Sequence, residues 1–243
     1  MRLRLQKFIA QSGICSRRAA ESLIRDGKVL LNDIKIAQIG DSIDPNIETV
    51  RIEGQLLRPK EKQYFVFNKP TKVLSSKKDP VGLTCLYDLL LPSMRHLFYA
   101  GRLDFMSEGL LILTNDGHFS NRLSHPRFGI QKYYHVWVKG ISSVKNFLQT
   151  IVNEGVFDDG EMLRACSAEK ISSTKGTDLL QIVLLEGKNR EIRRMIKCFD
   201  GKILRLQRVK MGPFELKDLK PGKWRSFNQQ EHNFVNQLSN SPD

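Results

Sequence analysis

The sequence predicts an α+β chain of two domains: a small helix pair with a short sheet, then a larger domain of strands with interspersed helices. Three observations carry that reading. Apolar residues before Gly27 recur at helical spacing and then give way to short strand-like runs. From Tyr64 onward, apolar runs of strand length alternate with stretches of helical period. Between the two regions lies LLRPKEK, residues 56–62, which is charged, contains Pro and has no period. At 243 residues the chain also exceeds what one compact module usually needs.

The elements follow in order. Leu5, Phe8 and Ile9 fall at i, i+3, i+4, and Gly13 can take the left-handed conformation that ends a helix. Ser16 can accept from the N–H groups of the next turn, Ala20, Leu23 and Ile24 repeat the helical spacing, and Gly27 closes the element. VLLND reads as a strand and turn and VRIEG as a further strand, which completes a first domain over residues 1–58. Residues 59–63 are the expected linker. YFVFNKP, LLILTND, KYYHVWVKG and LLQIVLLEG read as strands and REIRRMIKCF as a helix of a second domain over residues 64–226. Residues 227–243 are rich in Asn, Gln and Ser with few apolar anchors, so a flexible polar tail with at most one weak helical turn is expected.

Charge narrows the function classes. Lys and Arg number 39 against 26 Asp and Glu, a net +13, which favours polyanions as partners. A membrane surface could also attract such a charge, but no apolar run approaches the roughly 20 residues of a spanning helix. MRLRLQKFIA has only a broken apolar stretch and no small-residue cleavage site, so it belongs to the fold and is not a secretory signal. Cys15, Cys85, Cys166 and Cys198 form no C-x-x-C pair, which argues against a zinc site or a disulfide framework and suits a reducing cytoplasm. Walker, dinucleotide-binding and H-E-x-x-H motifs are absent. No pairing signal is visible, so a monomer is the default expectation.

Over residues 1–31, seven cations face two acids. In isolation such a basic helix pair is most often a solvated face. The run RLQKFIAQSGICSRRAAESLIRDGKVLLND, however, resembles the S4 RNA-binding module along nearly its whole length. The resemblance implies that Arg4, Lys7, Arg17, Arg18, Arg25 and Lys28 meet structured RNA. Asp33 departs from the Gly usual at its position, although Asp also tolerates left-handed geometry.

The most informative stretch is GRLDFMSEGLLILTNDG, residues 101–117. An Asp before an apolar strand is, taken alone, most often a cap or turn residue. This stretch nevertheless resembles the active-site motif of the pseudouridine synthases, in the RsuA/RluB/RluF branch that modifies ribosomal RNA. NKP at 68–70, DPVGLTCLYDLL at 79–90, NRLSHPRFGIQKYY at 121–134, EGKNREIRRM at 186–195 and LQRVKMGPFELKDLKPGKWR at 206–225 continue the likeness in order. It spans roughly residues 1–225. Lys72 stands where the family has Gly after K-P-x, Leu83 where Arg is common, and Ser107 where D-x-x-T-x-G has Thr. Lys72 adopts positive φ less readily than Gly, which puts the path of its loop in doubt.

The resemblance implies a mixed, mainly antiparallel central sheet with flanking helices and a catalytic role for Asp104. The reaction breaks the bond from C1′ to N1 of uracil, rotates the base and joins C5 to C1′, so no redox step, energy input or cofactor is required. Asp104 would act ionised, as a nucleophile at C1′ or as a base at C2′. Arg193 matches the arginine that pairs with it, and Tyr134 matches the tyrosine that stacks on a flipped uracil. Tyr133 then faces away, since strand residues alternate. Arg102, Lys132, Arg190 and Arg194 are candidate substrate or phosphate contacts. Nine cations against three acids between Glu186 and Lys210 extend that basic region. His125, beside Pro126, more plausibly fixes a turn than removes a proton.

The implied function is isomerisation of a specific uridine in ribosomal RNA, with large-subunit RNA favoured over small. A non-catalytic S4-type assembly factor would explain the charge and the first domain without Asp104, Tyr134 and Arg193. A nucleosidase would share the C1′ chemistry, but the paired carboxylates of typical glycosidases have no evident second member here.

Overall fold

The computed structural model describes residues 2–240. The chain divides into two compact units: one runs up to Gln63 and includes Pro92–Phe98, and the other takes Tyr64–Leu91 and the residues from Tyr99 on. The excursion of Pro92–Phe98 into the first unit interrupts the continuous boundaries expected from the sequence.

In the first unit β1 (Leu3–Arg4) leads into α1 (Leu5–Gln11) and α2 (Arg17–Arg25). The side chain of Ser16 accepts from Ala19 N–H at 3.2 Å and so satisfies a donor at the start of α2. Strands β2 (Val29–Leu31), β3 (Lys35–Ile36), β4 (Ser42–Ile43), β5 (Val50–Ile52) and β6 (Gln55–Leu56) follow. Four of them form a sheet in the order β3-β2-β5-β6, and β1 pairs with β4. Asn32 and Asp33 both adopt positive φ, 51° and 62°, as a tight hairpin between β2 and β3 requires. The helices bury Leu5, Phe8, Ile9, Ala20 and Ile24 against Val29, Ile43, Val50 and Ile52.

The second unit contains β7 (Tyr64–Lys69), most of β8 (Phe98–Ala100), β9 (Glu108–Thr114), α3 (Gly117–Ser124), β10 (Lys132–Lys139) and α4 (Val144–Asn153). It continues through β11 (Val156–Asp158), β12 (Glu161–Leu163), β13 (Ser167–Thr174), β14 (Thr177–Leu184), α5 (Glu191–Lys197), β15 (Lys202–Met211), β16 (Phe214–Glu215), β17 (Trp224–Ser226) and α6 (Gln229–Asn240). A nine-stranded sheet runs β13-β14-β10-β15-β9-β7-β17, with β16 beside β15 and β8 beside β9. At its centre β9 and β15 are parallel, while β10, β14, β13, β7, β17 and β16 pair antiparallel. This is the mixed, mainly antiparallel sheet that was expected. The parallel junction depends on Gly109: a Cβ there would lie 2.3 Å from the carbonyl oxygen of Arg208, and its φ is +106°.

Two apolar clusters cover the sheet. One joins Val136, Val138, Leu180 and Ile182 to Phe147 and Ile151 of α4 and to Ile192, Met195 and Ile196 of α5. The other joins Tyr64, Val66, Leu110 and Ile112 to Phe119 of α3, Phe214, Phe227 and Val235.

The C-terminal segment differs from expectation. Over residues 227–240 it is not a flexible polar tail: α6 spans twelve residues and docks through Val235, with Phe227 leading into it, while residues 241–243 lie outside the described residues. Its polar composition is accommodated by specific partners. Both terminal nitrogens of Arg225 donate to the buried carboxylate of Glu231 at 2.8 Å, and Arg122 Nη1 donates to the carbonyl of Leu238 at 2.8 Å. No described helix is long and apolar enough to cross a membrane.

Candidate active site

Asp104 lies in the loop between β8 and β9, and that loop is tied down at its backbone. Leu103 exchanges hydrogen bonds with Ser75: its carbonyl accepts from the hydroxyl at 2.8 Å, and its N–H donates back at 3.3 Å. Ser107 N–H closes a turn onto the carbonyl of Asp104 at 3.0 Å. Lys72 N–H donates to Phe105 O at 2.7 Å. Lys72 itself sits at φ 59°, so the lysine keeps the left-handed geometry that a glycine would adopt more readily. The strain is of order 1 kcal/mol.

Lys69, at the end of β7, is fully buried beneath this loop. Its ammonium donates to the carbonyls of Pro70 at 2.9 Å, Asp104 at 3.2 Å and Ser107 at 2.9 Å. Burial pulls its pKa down to about 8, against the opposing pull of Asp104 and Glu108 and with a further push from Arg208. Arg208 is also buried, beside Gly101, and donates from Nε to Leu110 O at 2.8 Å.

The carboxylate of Asp104 is about one-third exposed, at 34 %, and its Oδ2 stands 3.7 Å from Nε of Arg193, whose side chain is 16 % exposed. Arg193 reaches the loop from α5. Its Nη2 donates to Met106 O at 2.9 Å and to Ser107 Oγ at 3.0 Å, so the hydroxyl retained at position 107 is used. Desolvation lowers the guanidinium pKa, and Asp104 offsets part of that effect. The residue preceding Asp104, Leu103, belongs to the same buried cluster as Tyr134.

Other candidates occupy different settings. Tyr134 is buried on β10 opposite Arg208 of β15, while Tyr133 turns the other way and donates to Gln131 Oε1 at 2.6 Å. Lys132 is buried and donates to Ile130 O at 3.2 Å and Leu185 O at 2.9 Å, and desolvation pulls its pKa to about 8. Such a lysine supports the strand and does not project toward solvent. Arg194 is ion-paired with Asp158 and Glu161, which leaves it committed within the protein. Arg102 and Arg190 are exposed. His125 Nδ1 accepts from Arg127 N–H at 3.2 Å and caps a short helical turn.

In the first unit Arg17, Arg18, Arg25 and Lys28 are exposed along and just beyond α2, and Lys7 is half-buried on α1. Arg4 is exposed and donates to Gly40 O at 2.5 Å. Sequence reasoning did not single out Lys69, Ser75 or Arg208. The only signal for Lys69 was its place in NKP, and a lysine is ordinarily assigned to the surface.

A partly exposed carboxylate beside a guanidinium, on a loop gripped from behind, is the candidate site of an α+β fold that is joined in sequence to a small basic helix-pair domain. The RNA pseudouridylate synthase family matches residues 63–197, and the S4 domain family matches residues 3–46. The chain is 36 % identical to an uncharacterized RNA pseudouridine synthase of Aquifex aeolicus over 95 % of its own length and 92 % of the relative's. It is 33 % identical to the ribosomal large subunit pseudouridine synthase B of Bacillus subtilis over 94 % of its length and 93 % of that protein's. A crystal structure of a pseudouridylate synthase superposes with a TM-score of 0.66 at 29 % identity, covering 97 % of this chain and 99 % of that one. The chain therefore belongs to the RNA pseudouridylate synthase family and carries an S4 domain.

Proposed function

We propose that the protein isomerises one uridine of ribosomal RNA, in the large subunit, with Asp104 as the reacting carboxylate, Arg193 as its counter-ion and Tyr134 as the ring that meets the flipped base. The uracil leaves the helical stack so that C1′ can approach Asp104. Asp104 either attacks C1′ as the C1′–N1 bond breaks or removes the C2′ proton to allow elimination. The detached uracil turns and C5 bonds to C1′, displacing the Asp104 carboxylate on the nucleophilic route or, on the elimination route, with C2′ regaining the proton that Asp104 took; the C5 proton then departs and N1 gains a proton. Atoms and electrons balance within RNA and water, so the reading needs no cofactor.

The observation that carries this reading is the accessible Asp104 carboxylate 3.7 Å from Arg193, on a loop whose carbonyls are held by Lys69. The S4 match supports RNA capture by the first unit. The name of the Bacillus relative supports the large-subunit assignment. We further assign the protein to the cytoplasm as a monomer, in keeping with its unpaired cysteines and the lack of pairing signals in its sequence.

Large-subunit RNA labelled with tritium at uracil C5 tests the reaction, because formation of the C5–C1′ bond releases that label to water. Release by the wild-type protein, with no free uracil, is expected. Free uracil would indicate hydrolysis of the glycosidic bond, and an unaltered RNA would contradict the proposal.

A further inference from the structure

The pairing of β15 with β10 slips by one residue beside the candidate site. Tyr133 faces Lys210 and Tyr134 faces Arg208, which leaves Val209 as the extra residue of a bulge. In an unbroken strand positions 208 and 210 would share a face. The bulge sends them apart: the Lys210 ammonium lies 5.5 Å from the centre of the Tyr133 ring, while Arg208 turns inward and is buried with Tyr134.

Arg208 is 2 % exposed, and among the described residues no carboxylate pairs with it. Its Nη2 is buried without a hydrogen-bond partner. Two other buried cations, Lys69 and Lys132, are close enough for its charge to oppose theirs. A buried charge left unpaired is costly, and a well-packed apolar side chain of similar size would serve the fold at least as well. The contacts of the guanidinium supply another reason for an arginine here. Nε donates at 2.8 Å to Leu110 O, in β9 just past the Asp104 loop, and Nη1 lies 3.8 Å from the place that a Cβ would take on Gly101, where the loop leaves β8. One side chain therefore reaches both ends of the loop. Its backbone is in register with Gly109 on one side and with Tyr134 on the other. Lys69 faces Gly109 from β7 and holds the middle of the loop, so Lys69, Gly109, Arg208 and Tyr134 form one row across four strands.

We infer that Arg208 is a positioning residue that sets the separation of Asp104 from Tyr134, because its guanidinium fixes both ends of the loop that carries the carboxylate to the strand beside the one that carries the ring. It acts through these two residues and not by touching RNA. The reaction it serves is that of the proposed function, on which this role rests.

The test compares full-length wild type, Arg208→Met and Arg208→Lys in single turnovers of large-subunit RNA labelled with tritium at uracil C5, with the protein in saturating excess. The rate constant then reads only the folded protein, so a partly unfolded variant does not mimic a misplaced loop. Arg208→Met should lower that rate constant about 10- to 100-fold, the effect of a misplacement on the scale of an ångström. The protein concentration giving half the maximal rate should stay within about two-fold of wild type. Arg208→Lys keeps a charge but not the span of the fork, so it should be slowed as well. A second measurement reads the loop without the reaction: in the free variants the amides of residues 101–110 should exchange with solvent about ten-fold faster than in wild type, while those of residues 1–58 keep their rates. A wild-type rate constant in either variant, unchanged exchange at 101–110, or faster exchange spread over the whole chain would overturn the inference. If the wild-type protein forms no pseudouridine, the proposed function fails, and the exchange measurement still decides whether Arg208 holds the loop.

Discussion

Nε of Arg193 lies 3.7 Å from Oδ2 of Asp104, within ion-pair range but too far for a hydrogen bond, while Nη2 of the same guanidinium is bonded to Met106 O and Ser107 Oγ. The arginine therefore serves the loop and the carboxylate together. A substrate that drew Asp104 toward C1′ would leave two of Arg193's contacts in place.

Replacing Arg193 separates these roles. Arg193→Lys keeps a charge but cannot reproduce the fork, and kcat/KM should fall about 10- to 100-fold. Arg193→Met should fall further, with RNA affinity little changed. Full activity of Arg193→Met in the tritium assay would remove the counter-ion role.

Lys69 gives a pH signature. With its pKa near 8 in the folded protein and an ordinary value of 10.5, it is charged in both folded and unfolded chains below about pH 8, and its burial cost is then fully felt. Between about 8 and 10.5 the folded chain releases a proton that the unfolded chain retains, so the contribution of Lys69 to stability becomes less unfavourable as pH rises. Over the same rise the ammonium becomes an amine with two N–H donors for three carbonyls, and the Asp104 loop loosens. Activity should fall as pH passes about 8 while this contribution to unfolding stability grows. Chemical denaturation and rate measurements from pH 7 to 10 on wild type and Lys69→Met check both, and identical pH profiles for the two proteins would refute the assignment.

Gly109→Ala should cost more than about 3 kcal/mol, because a Cβ would meet the Arg208 backbone at 2.3 Å and the residue would be held at φ +106°. A urea midpoint within error of wild type would show that β9 and β15 can part without loss.

Removing residues 229–243 should lower Tm by at least about 5 °C, since Phe227 and Phe214 lose the cover of α6 and Arg225 loses the Glu231 carboxylate. A truncated protein that melts with the full chain would restore the view of this segment as a dispensable tail.

Much of the fold was legible because its signals are local. The cap at Ser16, the positive φ of Gly13 and Gly27, the Asn32–Asp33 turn and the strand periods around Val66, Ile112, Val136 and Ile182 act within a few residues. The Asp104 loop was legible through its motif, and so was the approach of Arg193. What escaped depends on distant partners. Arg194 is bound by acids 36 and 33 positions away, so it reads in sequence as one more cation available to phosphate. Lys69 becomes a buried clamp only because three carbonyls converge on it. At the C-terminus, Phe227 and, in α6, Val235 and Glu231 find their complements on β7, β16, β17 and α3, and the Asn- and Gln-rich composition between them hides that pattern.

The most direct measurement maps pseudouridine in ribosomal RNA from cells lacking the gene and compares restoration by the wild-type chain with restoration by Asp104→Asn. The account predicts that one large-subunit uridine loses its modification, that wild type restores it, and that Asp104→Asn does not, although it binds RNA within a few-fold of wild type. Restoration by Asp104→Asn, or a deletion strain with every ribosomal pseudouridine intact, would contradict it.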